Sequence, residues 1–412
     1  MTSRHHSSRS CTRSPDFEAG ISIKVMSRPP HHANATRTLF QNPWKTPEEP
    51  DDNAIEPVEI DSHPQSLTQE PSWFGSLTSG LPSVSSLLSN IPLERARDLS
   101  SHGISLTKVV KPDFDKFSNS RKSVKATWLG HASFLVELPP QDDSTKPIRV
   151  LFDPMFSDRA GPSQWTGIQR RLPPPCTIAE LPEFQFVLIS HNHYDHLDLP
   201  SIHEIVRTRG DSVTFLVPLG NKQWLVSTGI VSSRIFELDW WDDITLPRPH
   251  STLNSDRASE PVVSASNLTF VCVPAQHTSE IGQRYGPFDL SLLPIWRGGT
   301  LSFISQLGLR LTHHPLLSAM HTSPSDAISI HRDVRSRHSL AMHFGTFAGS
   351  ETEALEPLVE LALALQKAEL GDWWQEGGIG AIDVGETVEV RCGSENEESR
   401  SGQDDDGAPI TR

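Results

Sequence analysis

The chain has 412 residues, of which 36% are hydrophobic, and 51 acidic side chains against 36 Lys and Arg give a net charge of −15. That acidity, with no basic stripe, excludes nucleic acid as the main partner, and no apolar run approaches the roughly 20 residues of a membrane-crossing helix. Cys11, Cys176, Cys272 and Cys392 are too scattered for a disulfide framework or a Cys-x-x-Cys metal site, which points to a reducing, intracellular setting.

The length allows one large domain or two ordinary ones. Residues 1–37, rich in Ser, Pro, His and Arg, read as a disordered tail. The first fourteen hold three Arg and no acid, a faint likeness to a mitochondrial transit peptide against the plainer reading of an unstructured end. Residues 38–121 read as a linker with a docking segment. Phe40-Gln41-Asn42-Pro43-Trp44 is its apolar island, 45–75 is acidic and Pro-rich, and Leu81, Val84, Leu87, Leu88, Ile91 and Leu93 follow near helical spacing. That last stretch predicts an amphipathic helix within 81–99, for the core or for a membrane surface.

The folded body is expected over 122–392, followed by a disordered acidic tail, 393–412. Ala126–Leu138 predicts two strands broken at Gly130-His131, and Ile148–Phe152 a third that stops at Asp153-Pro154. Asp153 would emerge at the strand end, where a carboxylate can orient a histidine ligand; the alternative is a turn-forming Asp-Pro. Phe184–Ile189 is short and apolar, as suits a buried strand. The loop after it, Ser-His-Asn-His-Tyr-Asp-His-Leu-Asp over 190–198, leads into a helix with Asp198 as N-cap and Pro200 in the first turn.

That loop carries the chemistry. Imidazole and carboxylate are ligands for zinc and similar divalent ions. His191 and His193, two apart on extended backbone, point the same way and can hold one ion. Asp195 and His196, past the bend, can face a second. Two ions about 3.5–4 Å apart can share a water and lower its pKa to near neutrality. The bland alternative is a His-rich surface loop.

Further strands are expected at Val213–Val217, Arg234–Leu238, Leu268–Val273 and Asp289–Ile295, with an irregular apolar insert at 297–322. His277, just past the third of these, is a candidate third ligand for the first ion. Ser323-Pro324-Ser325-Asp326 is a helix start; the helix is expected to end near Arg337, with His331 and His338 as surface residues on or beside it. Ser339–Thr346 reads as a strand that brings His343 to the second ion. Pro357–Glu369 reads as a helix and Gly378–Val390 as closing strands.

A strand-end Asp, then His-x-His-x-Asp-His, then single histidines at later strand ends resembles the metallo-β-lactamase superfamily. Within it, Phe40–Trp44, Thr127–Ser133 with its Trp-Leu-Gly-His run, His191–Asp198, Pro274-Ala275-Gln276-His277, Gly286–Leu290 and His343–Phe347 resemble the N-acyl-phosphatidylethanolamine-hydrolysing phospholipases D. The resemblance covers about residues 38–45 and 122–365. It implies an α/β fold, an αβ/βα sandwich of two mixed sheets with helices outside. It also implies two zinc ions, one on His191, His193 and His277 and one on Asp195, His196 and His343. Asp153 and His131 would support these ligands, and His321 would donate a proton or touch phosphate. Asp195 is the carboxylate of the catalytic set. The implied reaction is hydrolysis of a phospholipid at a membrane surface by metal-bound hydroxide, giving phosphatidic acid and an N-acylethanolamine. The implied setting is cytoplasmic, membrane-peripheral or mitochondrial, and a homodimer is compatible with it.

One departure stands out. The family places a further aspartate, bridging both zincs, between the Ala-Gln-His and Gly-Pro-Phe-Asp runs. Here His277 passes almost directly into Gly286, so the bridge and a segment long enough for two strands, near 278–282, are missing. Glu280 and Asp289 are the only nearby carboxylates. The sequence therefore also supports an inactive or mononuclear metal-binding relative, or another hydrolase of the same fold.

Overall fold

The computed structural model describes residues 21–25, 31–32, 39–40, 58–59, 93–96, 98–140, 147–248, 267–275, 278–296, 305, 309–311 and 321–393. Thirteen strands and five helices position the site. The strands are β1 (Ser22–Lys24), β2 (Ser123–Gly130), β3 (Ser133–Leu138), β4 (Ile148–Phe152), β5 (Phe186–Leu188), β6 (Thr214–Pro218), β7 (Ile235–Leu238), β8 (Asp243–Pro247), β9 (Asn267–Val271), β10 (Phe288–Pro294), β11 (Ser336–Met342), β12 (Gly378–Gly380) and β13 (Thr387–Arg391). The helices are α1 (Leu199–Arg209), α2 (Lys222–Ser227), α3 (Thr278–Tyr285), α4 (Pro324–Asp333) and α5 (Glu351–Ala368).

A seven-stranded mixed sheet runs in the order β7-β6-β5-β4-β3-β2-β13. Its β4 to β7 half is parallel and its β13 to β4 half antiparallel. The period-2 alternation of side chains sorts its residues onto two faces. Leu129, Leu135, Leu151, Val187, Phe215 and Val217 pack with Ile202 and Ile205 of α1 and Leu225 of α2. Their alternate neighbours Trp128, Phe134 and Val136 face Leu293 of β10, Leu340 and Ala341 of β11, Ile379 of β12 and Leu361 of α5. Further along that second face, Val150, Phe186 and Leu216 face Ile244 and Leu246 of β8. Sheet therefore packs on sheet with helices outside, the αβ/βα sandwich.

The layer opposite the seven-stranded sheet is divided. One part is antiparallel β1-β8-β9, the other parallel β10-β11-β12. Among the described residues β9 pairs only with β8 and β10 only with β11. Phe288 through Leu292 are half-buried on both faces of β10, as expected of an edge strand with an uncovered side. The short connection after His277 lies at this division. It holds α3, whose Ile281 packs with Trp241 and Val334. Gly282 sits so close to α4 that a Cβ there would meet the Asp333 carbonyl at 1.9 Å.

The expected strands and helices form, with local corrections. α4 stops at Asp333 because Val334 caps it and Arg335 turns at φ 58°. His331 is buried, not on the surface: it sits four residues after Ala327 on the inward face and bonds Ser339 Oγ at 2.7 Å and the Gly377 carbonyl at 3.0 Å. His338 is on β11, its Nδ1 on the Trp373 carbonyl. The strand carrying His343 is Ser336–Met342, so the histidine lies just past its end. α5 begins at Glu351 and contains Pro357 in its first turns. The helix expected within 81–99 falls outside the described residues up to 92, and its end is instead a strand, Leu93–Arg95, paired with Leu309–Leu311 of the supposedly irregular insert. Of the Phe40–Trp44 island only Phe40 is described, in a strand pair with Val58.

Candidate metal centre

The site lies at the C-terminal ends of the parallel strands, where the chain turns and polar groups can converge. β4 delivers Asp153, held at φ 40° and 5% exposed. One of its carboxylate oxygens accepts the Ser190 amide at 2.7 Å; the other accepts the Ser190 hydroxyl at 2.6 Å and meets His196 Nδ1 at 2.7 Å. β5 delivers the loop with His191, His193, Asp195 and His196, anchored behind by α1. Asp198 caps that helix, accepting the Ser201 amide at 3.3 Å and the Ser157 amide at 3.2 Å.

The turn between β2 and β3 delivers His131, at φ 51°. Its amide donates to Thr346 Oγ1 at 2.7 Å, and its carbonyl accepts Trp128 Nε1 at 2.9 Å and the His343 amide at 2.9 Å. His343, itself at φ 61°, is thus tied to His131 by backbone. Such left-handed residues cost energy outside Gly, and here they aim imidazoles into one space.

Asp195 is the centre of the cluster. Its Oδ2 lies 2.7 Å from His131 Nε2 and 3.5 Å from both His196 Nε2 and His343 Nε2. The two Nε2 atoms are 3.0 Å apart. His131, Asp195, His196 and His343 each offer a ligand atom, all within 4.8 Å of one another. Beside them His191 Nε2 meets His193 Nδ1 at 3.1 Å, and the His191 ring lies 4.0 Å from that of His196. His321 is close by, 5.5 Å ring to ring from His343.

Electrostatics follows from burial and from these contacts. Burial pushes the Asp195 carboxyl up, but hydrogen bonds from His131, His196 and His343 outweigh it and hold the group far below the usual carboxylate range. Burial pulls the His196 imidazolium down, yet Asp153 and Asp195 together push it up to about 9. Burial and then His343 hold His131 well below its ordinary value. Burial, with His196 and His193, pulls His191 down to about 4; burial, with His343, does the same to His321.

This donor set fits a metal. Facing imidazole nitrogens can form only one hydrogen bond, whereas their lone pairs can both serve one cation. His343 Nδ1 and His321 Nδ1 are buried without a hydrogen-bond partner. Imidazole and carboxylate donors of this kind suit zinc and its first-row neighbours.

Similarities to known proteins bear on this geometry. Residues 148–281 match the family model described as a beta-lactamase superfamily domain. The chain is 28% identical to N-acyl-phosphatidylethanolamine-hydrolyzing phospholipase D 1 of Caenorhabditis elegans, over 58% of this chain and 69% of that one. It is 31% identical to an uncharacterized protein of Mycobacterium tuberculosis, over 66% of this chain and 71% of that one. The chain belongs to the metallo-β-lactamase superfamily. The mitochondrial N-acyl-phosphatidylethanolamine-hydrolyzing phospholipase D of Saccharomyces cerevisiae is 27% identical, over 59% of this chain and 52% of that one.

The family match supports a metal-dependent hydrolase, and the described ligands converge beyond the ends of β4 and β5. Of the six ligands expected from the sequence, His191, His193, Asp195, His196 and His343 come together; His277 lies outside the described residues. His131 makes direct contact with Asp195 in the cluster, closer than a supporting role required. Ser190 was overlooked, although it stands within the motif and joins Asp153 to both His191 and His196.

Neither Asp289 nor Glu280 reaches the cluster. Asp289 is at the N-terminal end of β10, on Arg337 Nη1 at 3.0 Å, whereas His343 follows the C-terminal end of the parallel neighbour β11. Glu280 is exposed on α3, whose first residue bonds Asp333 at the far end of α4 from His321. Asp195 is thus the one carboxylate in this cluster among the described residues.

Proposed function

We propose that the protein is a zinc-dependent phosphodiesterase of the phospholipase D type, hydrolysing N-acyl-phosphatidylethanolamine to phosphatidic acid and an N-acylethanolamine. The observation that carries the proposal is the convergence of His131, Asp195, His196 and His343, with His191 and His193 alongside. One ion would be held by Asp195, His196 and His343 and the other by His191 and His193 with His277. Bound there, zinc polarises phosphoryl oxygen and lowers the pKa of water.

The chain's own residues do the rest. Asp153 holds His196 through Nδ1, which leaves Nε2 to face inward. Thr346 and Trp128 fix the His131 turn. His321, beside His343, would donate a proton to the leaving oxygen or contact phosphate.

The lipid substrate is supported by the names of the worm and yeast relatives and by a surface feature. Trp165 is 92% exposed at the tip of a short hairpin, Arg159-Ala160 against Ile168-Gln169. Its base is tied to the site: Arg171 N donates to the Thr346 carbonyl at 2.6 Å and Arg170 Nη2 to the Met155 carbonyl at 3.0 Å. A Trp so placed suits a membrane–water interface. No helix among the described residues is long and apolar enough to cross a membrane. The proposed location is the surface of a membrane, the mitochondrial one being a candidate from the yeast relative's name.

The test is release of N-acylethanolamine from labelled substrate. Release that chelator abolishes and zinc restores is expected; no chelator-sensitive release would reject the proposal. A second reading, a mononuclear or inactive relative, is favoured by the lone carboxylate of the cluster. Elemental analysis of the native chain beside one with the cluster's ligands replaced separates the two: a loss of two ions favours the enzyme, of one or none the relative.

A further inference from the structure

A second group of metal-type donors lies apart from this centre. Strand β7 is followed directly by Asp239, whose carboxylate side chain is 7% exposed. Two adjacent histidines from the N-terminal region reach it, His31 and His32, with side chains 4% and 3% exposed. His31 Nε2 lies 2.7 Å from Asp239 Oδ1 and His32 Nε2 2.5 Å from Oδ2. The three ligand atoms fall within 4.8 Å of one another, as a group separate from the cluster around Asp195. β7 is two strands from β5, so at the usual strand spacing the groups are about 10 Å apart or more.

The three side chains are packed together and shielded from solvent. The Trp240 amide also donates to Asp239 Oδ1 at 2.8 Å. Asp242, 4% exposed, stands beside it and accepts the Asp239 amide at 3.1 Å. The Arg284 guanidinium stacks over the Trp241 ring at 5.3 Å. A divalent ion could be held by both Nε2 atoms and the carboxylate, whose donor atoms already converge. Cys272 is also near. Burial first, then Asp239 and Asp242, push its thiol up to about 12.

We propose that His31, His32 and Asp239 form a second, structural metal site for a zinc-like divalent transition ion. Two imidazoles and a carboxylate select that class over calcium or magnesium. The ion would clip the N-terminal segment, from which β1 adds to β8, onto the end of β7. The contacts span 208 and 207 residues of sequence, and clips that close long loops gain the most from the restricted unfolded chain.

The experiment uses the full chain, stripped with chelator, reloaded with zinc, desalted and measured by elemental analysis. The comparison is wild type against His31→Gln/His32→Gln, which keeps polar side chains able to hydrogen-bond Asp239 but removes the imidazole ligands. The double variant should hold about one zinc fewer per chain, and zinc should raise its thermal midpoint less than that of wild type. Asp239→Asn is the second variant and should show the same deficit. Equal zinc content in wild type and both variants would overturn the proposal and leave a hydrogen-bonded clamp. A single ion lost by Asp239→Asn but retained by the double histidine variant would also overturn it, because the ion would then have other ligands.

Discussion

In the seven-stranded sheet, β2 to β6 each have hydrogen-bonded neighbours on both sides, and Trp128, Leu129, Leu151 and Val187 are fully buried. The layer facing it is two separate three-stranded sheets, with β10 half-exposed on both faces where they part. The difference explains what the site keeps and what it lacks. His131, Asp153, His191, His193, Asp195 and His196 all hang from the complete sheet, whose neighbours over-determine the strained turns at His131 and Asp153. From the divided layer come His343 and His321, and no carboxylate of that layer joins the cluster among the described residues. The less complete layer thus gives the cluster fewer of its described ligands.

This contrast can be broken or sharpened by substitution. The largest effect is expected at Asp195, the one carboxylate of the cluster. Asp195→Asn should lower kcat/KM for the phospholipid by at least about 10³-fold, since Lewis-acid stabilisation is worth several kcal/mol. Retained activity would mean that catalysis does not run through this cluster. Next come paired core truncations, read by urea unfolding. Trp128→Ala in the complete sheet should cost about 3–5 kcal/mol and Leu292→Ala in the exposed edge strand about 1 kcal/mol. Equal costs would show that β10 is covered in solution. Asp153→Asn, which disturbs His196 without touching an ion, should weaken zinc affinity about 10–100-fold, measured by competition with a chelating dye.

The smallest effect concerns Glu353 on α5. Burial raises its carboxyl above the usual value, against hydrogen bonds from Ser305 and the Gly349 amide, and its Oε1 is buried without a partner. A raised folded-state value means that the native protein holds its proton to higher pH than the unfolded chain. Stability from this group is therefore present at acid pH and lost as pH rises through the folded value. Glu353→Gln should raise the thermal midpoint slightly at pH 8, by less than about 1 kcal/mol in stability, and leave it unchanged near pH 4. A gain of equal size at both pH values would show that ionisation is not the cause.

How much of this was legible in the sequence depended on range. The strand–loop–helix unit around His191–His196 was readable because every signal in it is local: an apolar run, the spaced ligands, the Asp198 cap and Pro200. Asp153 and His343 were readable as strand-end residues, and the missing segment after His277 as a shortfall in length. The split of the opposite layer was visible only as that shortfall, since pairing partners are not written locally. His331 was misplaced on the surface, although its spacing from Ala327 put both on the buried face of α4. The group at His31 and His32 was not legible, because their partner Asp239 is more than two hundred residues away. The helix expected to end near Leu99 failed at its described end because Leu93–Arg95 finds a partner strand at Leu309–Leu311, a tertiary pairing that overrides helical spacing.

The most direct test is calorimetric titration of the chelator-stripped chain with zinc, beside the same titration of the Asp195→Asn/His343→Ala variant. A tight zinc site present in the native protein and lost in the variant, with the folded signal of both unchanged, is the predicted result. Indistinguishable zinc isotherms for the two proteins would contradict it, since the side chains gathered by the sheet ends would then not be what holds the ion.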